Sequence, residues 1–305
     1  MGKYDIMIKL FYSNKAALSF IGILKGRSYS MKSKFVKMLA AMALVPALLA
    51  GCAASNGGDK PADNGSSGAD ESLSKVLDSG KFVLGLDATF KPMGYTDEND
   101  NIVGFDIDVA EEVCKRMGVE LVKQPIDWDT KEQDLDAGKI DCIWNGMSVS
   151  PSRAEIMNLS EPYMENSMVF VVANGSGIAS QADLEGKTVA VQSGSTAQDI
   201  LKESGLNITE SALATNVECL QNLELNLCDA VFMDSVVANF EIKESGKDYV
   251  VLPDGLETEE YAIGFRKNDQ ALRDEVQRIL SEMKADGKLG EISEKWFGSD
   301  VTTVK

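Results

Sequence analysis

Four times between residues 81 and 234, a short apolar run stops on a polar side chain. KFVLGL (Lys81–Leu86) stops at Asp87, the run from Ile140 to Trp144 at Asn145, Thr188–Val191 at Gln192, and CDAVFM (Cys228–Met233) at Asp234. Short apolar runs bounded by turn residues read as buried strands. Helical stretches are interleaved with them, and alternation of strand and helix specifies α/β layering. In open α/β sheets ligands bind beyond the carboxyl ends of the strands. The four polar stops are therefore candidate ligand groups.

The richest of these stops lies in GKIDCIWNGMSVSPSR, Gly138 to Arg153. A turn at Gly138 leads into the strand, which breaks at Asn145-Gly146, passes Ser148 and Ser150, and reaches a short helix at Pro151. Arg153 offers a planar, permanently charged fork suited to a carboxylate. Backbone amides near Gly146, a hydroxyl at Ser148 and this arginine together make a receptor for a small anion. On this stretch alone, a buried strand followed by a surface arginine is an equal reading. A second anion-binding element is Gln192-Ser193-Gly194-Ser195-Thr196, a Gly/Ser loop ahead of a helix at Ala197–Glu203. A helix start presents unpaired N–H groups and positive dipole.

Charge and composition exclude several classes. The 305 residues carry a formal charge of −18 and no histidine. Acidity argues against nucleic-acid binding and against docking on anionic lipid. Lack of histidine removes His-based triads, His metal ligands and the common near-neutral proton shuttle. The five cysteines show no CxxC spacing, so no metal cage is expected; no cofactor is expected either.

Residues 1–30 are basic with one short apolar run and read as upstream read-through. At Met31 the sequence restarts as MKSKFVKMLAAMALVPALLAGC, with a lysine-bearing segment, an apolar segment and small residues. This is the layout of a secretory signal peptide over 31–51. Leu49-Ala50-Gly51-Cys52 resembles the bacterial lipobox, which implies acylation of Cys52 and anchoring to the cell membrane. Residues 52–72, rich in Gly, Ser, Asn and Asp, read as a flexible tether.

Further along, a helix is expected over Val109–Met117, capped by Asp106 or Asp108. A strand is expected at Val119–Val122, Trp128 on a loop, and a helix at Glu132–Ala137. Pro92–Tyr95 and Asp97–Asn101 read as loop and turn. A strand is expected at Met168–Ala173, helices at Val217–Leu225 and Asn239–Glu244, and strands at Tyr249–Leu252 and Glu260–Arg266. Helices at Leu272–Asp286 and Ile292–Phe297 close the chain. One lobe then supplies Asp87, Trp128, Ser148 and Arg153, the other Gln192, Thr196 and Asp234, which is the layout of a closing trap.

The order and spacing of GFDIDVAEEV (Gly104–Val113), GKIDCIWNGMSVSPSR, ADLEGKTVAVQSGST (Ala182–Thr196), DAVFMDS (Asp229–Ser235), YAIGFRKND (Tyr261–Asp269) and EKWFG (Glu294–Gly298) resemble the bacterial extracellular solute-binding proteins for polar amino acids, the receptors of ABC importers. The resemblance implies a type II periplasmic-binding-protein fold, two α/β lobes joined by two hinge strands. Residues 73–167 begin lobe one, 168–256 form lobe two, and 257–305 return to lobe one. The crossings are expected near Tyr163–Ser167 and Glu257–Tyr261. By the same resemblance, Arg153, Ser148, Ser195 and Thr196 hold a ligand α-carboxylate, Asp234 pairs with the α-ammonium, and Phe90 and Trp128 flank the side chain. Asp87, Asn145 and Gln192 set selectivity, with Gly146 beside them. Close relatives can carry a basic residue in place of Gln192 and His in place of Met233, so a glutamine-specific pattern does not transfer directly. A neutral polar or basic ligand is expected.

The implied role is a monomeric, lipid-anchored transport receptor serving a membrane permease, and not an enzyme. The alternatives are a cleft enzyme of dehydratase or lytic type, with Asp87 or Asp234 as acid, and a ligand-sensing module. Export permits disulfides. Even so, Cys114, Cys142, Cys219 and Cys228 fall on apolar faces and are expected to be buried thiols.

Overall fold

The computed structural model describes residues 70–254 and 258–305. The leader, Cys52 and the tether as far as Ala69 lie outside the described residues, as does Glu257 of the second expected crossing. Among the described residues no helix is long and apolar enough to cross a membrane.

Helix α1 (Ser72–Ser79) leads into strand β1 (Lys81–Leu86), and a small antiparallel sheet follows: β2 (Thr89–Phe90), β3 (Gly94–Thr96) and β4 (Ile102–Val103). Next come α2 (Phe105–Met117), β5 (Glu120–Pro125), a single 3-10 turn at Trp128–Thr130 and α3 (Lys131–Asp136). This first passage ends with β6 (Cys142–Ile143), α4 (Pro151–Ile156) and β7 (Met157–Leu159). The long strand β8 (Met164–Ala173) carries the chain into the second lobe. That lobe runs β9 (Thr188–Gln192), α5 (Thr196–Glu203), β10 (Thr209–Leu213), α6 (Asn216–Glu224), β11 (Ala230–Asp234), α7 (Ser235–Ser245) and β12 (Tyr249–Val251). The chain returns along β13 (Thr258–Tyr261) to β14 (Gly264–Arg266), α8 (Gln270–Ala285) and α9 (Lys288–Phe297).

The first lobe holds a sheet in the order β5-β1-β6-β14-β7, and the second a sheet in the order β10-β9-β11-β8-β12. β1 is parallel to β5 and β6, and β9 is parallel to β10 and β11, so the ends of β1 and β6 share one edge, as do those of β9 and β11. The two connecting strands pair antiparallel, from Met164 opposite Tyr261 to Ser167 opposite Thr258. The fold is therefore the type II arrangement of two α/β lobes on two hinge strands.

Periodicity explains the helices that cover the sheets. On α8 the buried residues are Leu272, Val276, Ile279, Leu280 and Met283, a single stripe at helical spacing. Each such side chain stabilises the fold by about 1.5–3 kcal/mol on full burial. Cys114, Cys142, Cys219 and Cys228 are buried and free, as their apolar faces indicate.

Several elements differ from the sequence-based expectation. Asp106 does not cap α2; Gly104 does, and Asp106 lies inside the helix, fully buried, with its carboxylate engaged by the neighbouring loop. The segment Glu260–Arg266 is two strands. Its backbone changes partner in the middle, where Ala262 N–H donates to Met147 C=O and Ile263 C=O accepts from Ser160 N–H. From Tyr261 to Phe265 every side chain is buried, so no period marks the break. β8 begins at Met164 rather than Met168 because the crossing and the sheet strand are continuous. The expected loop at 92–101 contributes β3, and β10 is a half-exposed edge strand with weak alternation. Only Cys142–Ile143 forms regular ladder within Ile140–Trp144, although Asp141 N–H and Trp144 N–H still donate to Val83 and Gly85 C=O of β1 (2.7 and 3.2 Å).

Gly104 has φ +149°, and a Cβ there would sit 2.1 Å from the Met93 carbonyl oxygen. Gly104→Ala is expected to lower the unfolding free energy by at least about 2 kcal/mol, read as a reduced urea midpoint by tryptophan fluorescence. An unchanged midpoint would contradict the packing described.

Candidate functional site

The strand ends meet as the topology requires. β1 and β6 are neighbours, so Asp87 and Asn145 lie side by side, and Asp87 N–H donates to Asn145 Oδ1 (3.0 Å). From the other lobe β9 delivers Gln192 and β11 delivers Asp234. Between the lobes lies a tight cavity of about 10 Å³, lined by Phe90, Trp128, Gly146, Ser148, Arg153, Met168, Gln192, Ser195, Thr196 and Asp234. Arg153 and Asp234 thus reach one hollow from opposite lobes.

Arg153 is buried, on the helix opened by Pro151 and capped by Ser150, whose hydroxyl accepts Arg153 N–H (3.2 Å). One guanidinium nitrogen, Nη1, donates to Ser148 C=O (2.7 Å), which fixes the fork against the loop. Burial lowers the Arg153 pKa; the carboxylates of Glu132, Glu259, Asp199 and Asp234 oppose that shift. Asp234 shows the complementary effect. Burial raises its pKa to about 7, and Glu259 pushes the same way, while the Tyr261 hydroxyl and Arg153 pull it down. A carboxyl titrating near neutrality pairs with a cation only when it has lost its proton.

At the second-lobe end, Ser195 serves as helix cap: its hydroxyl donates to Gln192 C=O (2.7 Å) and accepts Gln198 N–H (3.1 Å). Thr196 opens α5 beside the cavity, and its buried hydroxyl has no hydrogen-bond partner within the protein. Gly146 lines the cavity but its amide does not face it, since Gly146 N–H donates to Asp106 Oδ2 (2.7 Å). Tyr163 hydroxyl donates to the same oxygen (3.0 Å), and burial pushes Asp106 up to about 7. Gly146 has φ +56° and a Cβ there would lie 2.9 Å from the Phe90 ring, so glycine lets the loop pass under the aromatic.

Asp87 and Asn145 do not line the cavity. Asp87 Oδ1 accepts both the N–H and hydroxyl of Thr89 (2.9 and 2.7 Å), and Oδ2 accepts Gln192 Nε2 across the cleft (2.7 Å). Gln192 Nε2 also donates to Ala214 C=O, and its Oε1 accepts from Asn216. The pair ties the two lobes together beside the cavity. A second cross-lobe contact uses Lys131, which burial makes a weaker base. Its Nζ sits over the Trp128 ring, pairs with Glu132 (2.9 Å) and donates to Gly194 C=O of the other lobe (2.8 Å). Ser193 hydroxyl donates to Asp129 Oδ1 (3.1 Å) beside it, and Lys91 pairs with Glu244 (2.6 Å) further out.

A larger groove of about 1120 Å³ lies beyond Thr196, bounded by α4, α5 and the crossing strands. It presents Glu165, Asp199, Glu203, Glu259 and Glu260 and no basic side chain. The smaller cavity is the stronger candidate because opposite charges, aromatic faces and a helix start converge on it.

Residues 82–299 match the bacterial extracellular solute-binding proteins, family 3. The chain belongs to this family. It is 29% identical over 237 residues to the L-cystine-binding protein TcyJ of Escherichia coli (strain K12), covering 77% of this chain and 89% of that one. It is 32% identical over 221 residues to the arginine-binding extracellular protein ArtP of Bacillus subtilis (strain 168), covering 71% of this chain and 86% of that one. Among solved structures, an ABC uptake transporter substrate-binding protein from Streptococcus pneumoniae with bound histidine superposes with a TM-score of 0.74 at 39% identity, over 77% of this chain and 99% of that one. Sequence reasoning about this family member missed Met168 in the cavity wall and Lys131, Asn166 and Tyr261 around it. Strand alternation through Met164, Asn166 and Met168 was the available signal for two of them.

Gly194 has φ +68°, and a Cβ there would stand 2.8 Å from Asp129 Cα of the facing lobe. Gly194→Ala is expected to hold the lobes further apart, giving a larger radius of gyration in small-angle scattering than the parent protein under the same conditions. Equal radii would contradict the close approach.

Proposed function

We propose that this family member is an extracytoplasmic receptor that captures a single amino acid between its lobes and delivers it to a membrane ABC permease. The observation that carries this reading is the convergence of Arg153 and Asp234 on one cavity from opposite lobes. Arg153 clamps the ligand α-carboxylate, helped by Ser148 and the helix start at Ser195-Thr196. Asp234 pairs with the α-ammonium. A ligand with both charges then bridges the lobes and favours closure through its higher affinity for the closed form. Phe90 and Trp128 flank the side chain, where an aromatic sandwich accepts many shapes.

Selectivity is assigned to Gln192, which lines the cavity, and to Asp87 and Asn145, which are hydrogen-bonded behind it. The Asp87 carboxylate behind Gln192 and the absence of a basic side chain at Gln192 disfavour an acidic ligand side chain, so a neutral polar or basic amino acid is the preferred class. The cystine, arginine and histidine named for the relatives lie within that class. Acylation of Cys52 would anchor the monomeric body outside the membrane through the segment that precedes α1. Binding without covalent chemistry accounts for every polar group in the cavity, so no catalytic step is assigned.

A thermal-shift panel of the twenty amino acids and cystine is expected to yield at least one strong stabiliser. Arg153→Lys is expected to remove most of that affinity in titration calorimetry, roughly a hundredfold, because a lysine cannot reproduce the bidentate fork. Near-normal affinity of the variant would overturn the clamp assignment, and a panel with no shift would overturn the receptor reading.

A further inference from the structure

The crossing strands carry more than a hinge. Met164 lies opposite Tyr261 and Asn166 opposite Glu259. Side chains alternate across such a pair. Glu165 and Glu260 are exposed, whereas Met164, Asn166, Glu259 and Tyr261 are buried on the inward face. Two of these inward side chains reach the acid of the second lobe. Tyr261 hydroxyl donates to Asp234 Oδ1 at 2.8 Å, and Asn166 Nδ2 donates to the same oxygen at 2.9 Å. Asn166 Oδ1 in turn accepts from Ser235 Oγ (3.2 Å), at the start of α7. Tyr261 is tied to the first lobe, since its C=O accepts Tyr163 N–H (2.9 Å) and its backbone bridges Ser148. One donor from each crossing strand therefore grips the carboxylate that lobe two presents.

We propose that Tyr261 and Asn166 are positioning residues for the cation half of the ligand site: by filling Oδ1 of Asp234 they orient its other oxygen towards the ligand ammonium and make that orientation follow the twist of the two crossing strands. This deepens, and rests on, the reading of the cavity as an amino-acid site. The chemistry requires such support. An ionised carboxylate is an acceptor only, and donors to it favour the ionised form. Asp234 sits where burial opposes ionisation, with Glu259 of β13 adding to that opposition and Arg153 of α4 relieving it. Burial also holds the Tyr261 hydroxyl well above its usual range, so it remains a protonated donor at neutral pH. Remove that donor and the carboxyl keeps its proton to a higher pH, in the form that cannot pair with an ammonium.

The test is titration calorimetry of L-arginine and L-glutamine into the parent protein, Tyr261→Phe and Asn166→Ala, from about pH 6 to about pH 8. Parent affinity is expected to rise with pH through about 7. Tyr261→Phe keeps the ring and loses only the hydroxyl. It is expected to move the midpoint upward and to lose roughly tenfold in affinity at about pH 6, with a smaller loss at about pH 8. Asn166→Ala, which also loses contacts at the start of α7, is expected to move the midpoint in the same direction. An equal loss at every pH with an unmoved midpoint, or no loss in either variant, overturns the positioning role. A parent protein that binds neither probe overturns the receptor reading for these ligands and this inference with it, which separates that failure from the first.

Discussion

Two opposite charges kept out of water in one hollow, each on a different lobe, are the constraint on which the rest of this structure depends. Neither Arg153 nor Asp234 is comfortable alone. Burial lowers the pKa of the first and raises that of the second to about 7. An uncompensated buried charge costs several kcal/mol, so each group is stabilised by whatever brings the opposite sign to it. A zwitterion does so for both at once. The surrounding protein fixes where the charges point without neutralising them: Ser148 C=O orients the guanidinium, and Tyr261 and Asn166 hold one carboxylate oxygen.

The same logic explains the contacts that join the lobes without a ligand's help. Gln192 to Asp87, Lys131 to Gly194 and Ser193 to Asp129 are hydrogen bonds between lobes, and Lys91 to Glu244 is an ion pair at the rim. Individually such bonds contribute about 0.5–1.5 kcal/mol net, enough to trim an open–closed equilibrium. Tyrosines mark both crossings. Tyr163 donates to Asp106 and Tyr261 to Asp234, with ring centroids 6.3 Å apart. Asp106 in turn holds the Gly146 amide at the cavity floor. Each hinge tyrosine is thus bonded to one buried aspartate, Asp106 behind Gly146 and Asp234 in the cavity wall itself.

Much of this was legible in the sequence where periodicity was strong. The α8 stripe, the strands ending at Asp87, Gln192 and Asp234, and the arginine after Pro151 all read directly from residue pattern. The rest was hidden for identifiable reasons. Asp106 looked like a helix cap because acids favour first turns, but its partners, Gly146 and Tyr163, are 40 and 57 residues away. The split of Glu260–Arg266 was invisible because burial on all sides erases alternation. Asn166 lay in an expected crossing and Tyr261 where an expected crossing meets the Glu260–Arg266 strand, and neither pattern indicates that the side chain will reach a strand end 68 or 27 residues distant. The residues expected to set selectivity show the converse. Asp87 and Asn145 occupy the predicted edge, yet both Asp87 carboxylate oxygens are taken up by Thr89 and Gln192, and Asn145 Oδ1 by the Asp87 amide.

The most direct test of the two-charge account is calorimetry with one stabilising L-amino acid, its α-carboxamide and its analogue lacking the α-amino group, all on the unmodified protein. The account predicts that each analogue, having lost one charge and left Arg153 or Asp234 without its partner, binds roughly a hundredfold or more weakly than the parent amino acid. An analogue that binds as tightly as the zwitterion would contradict it.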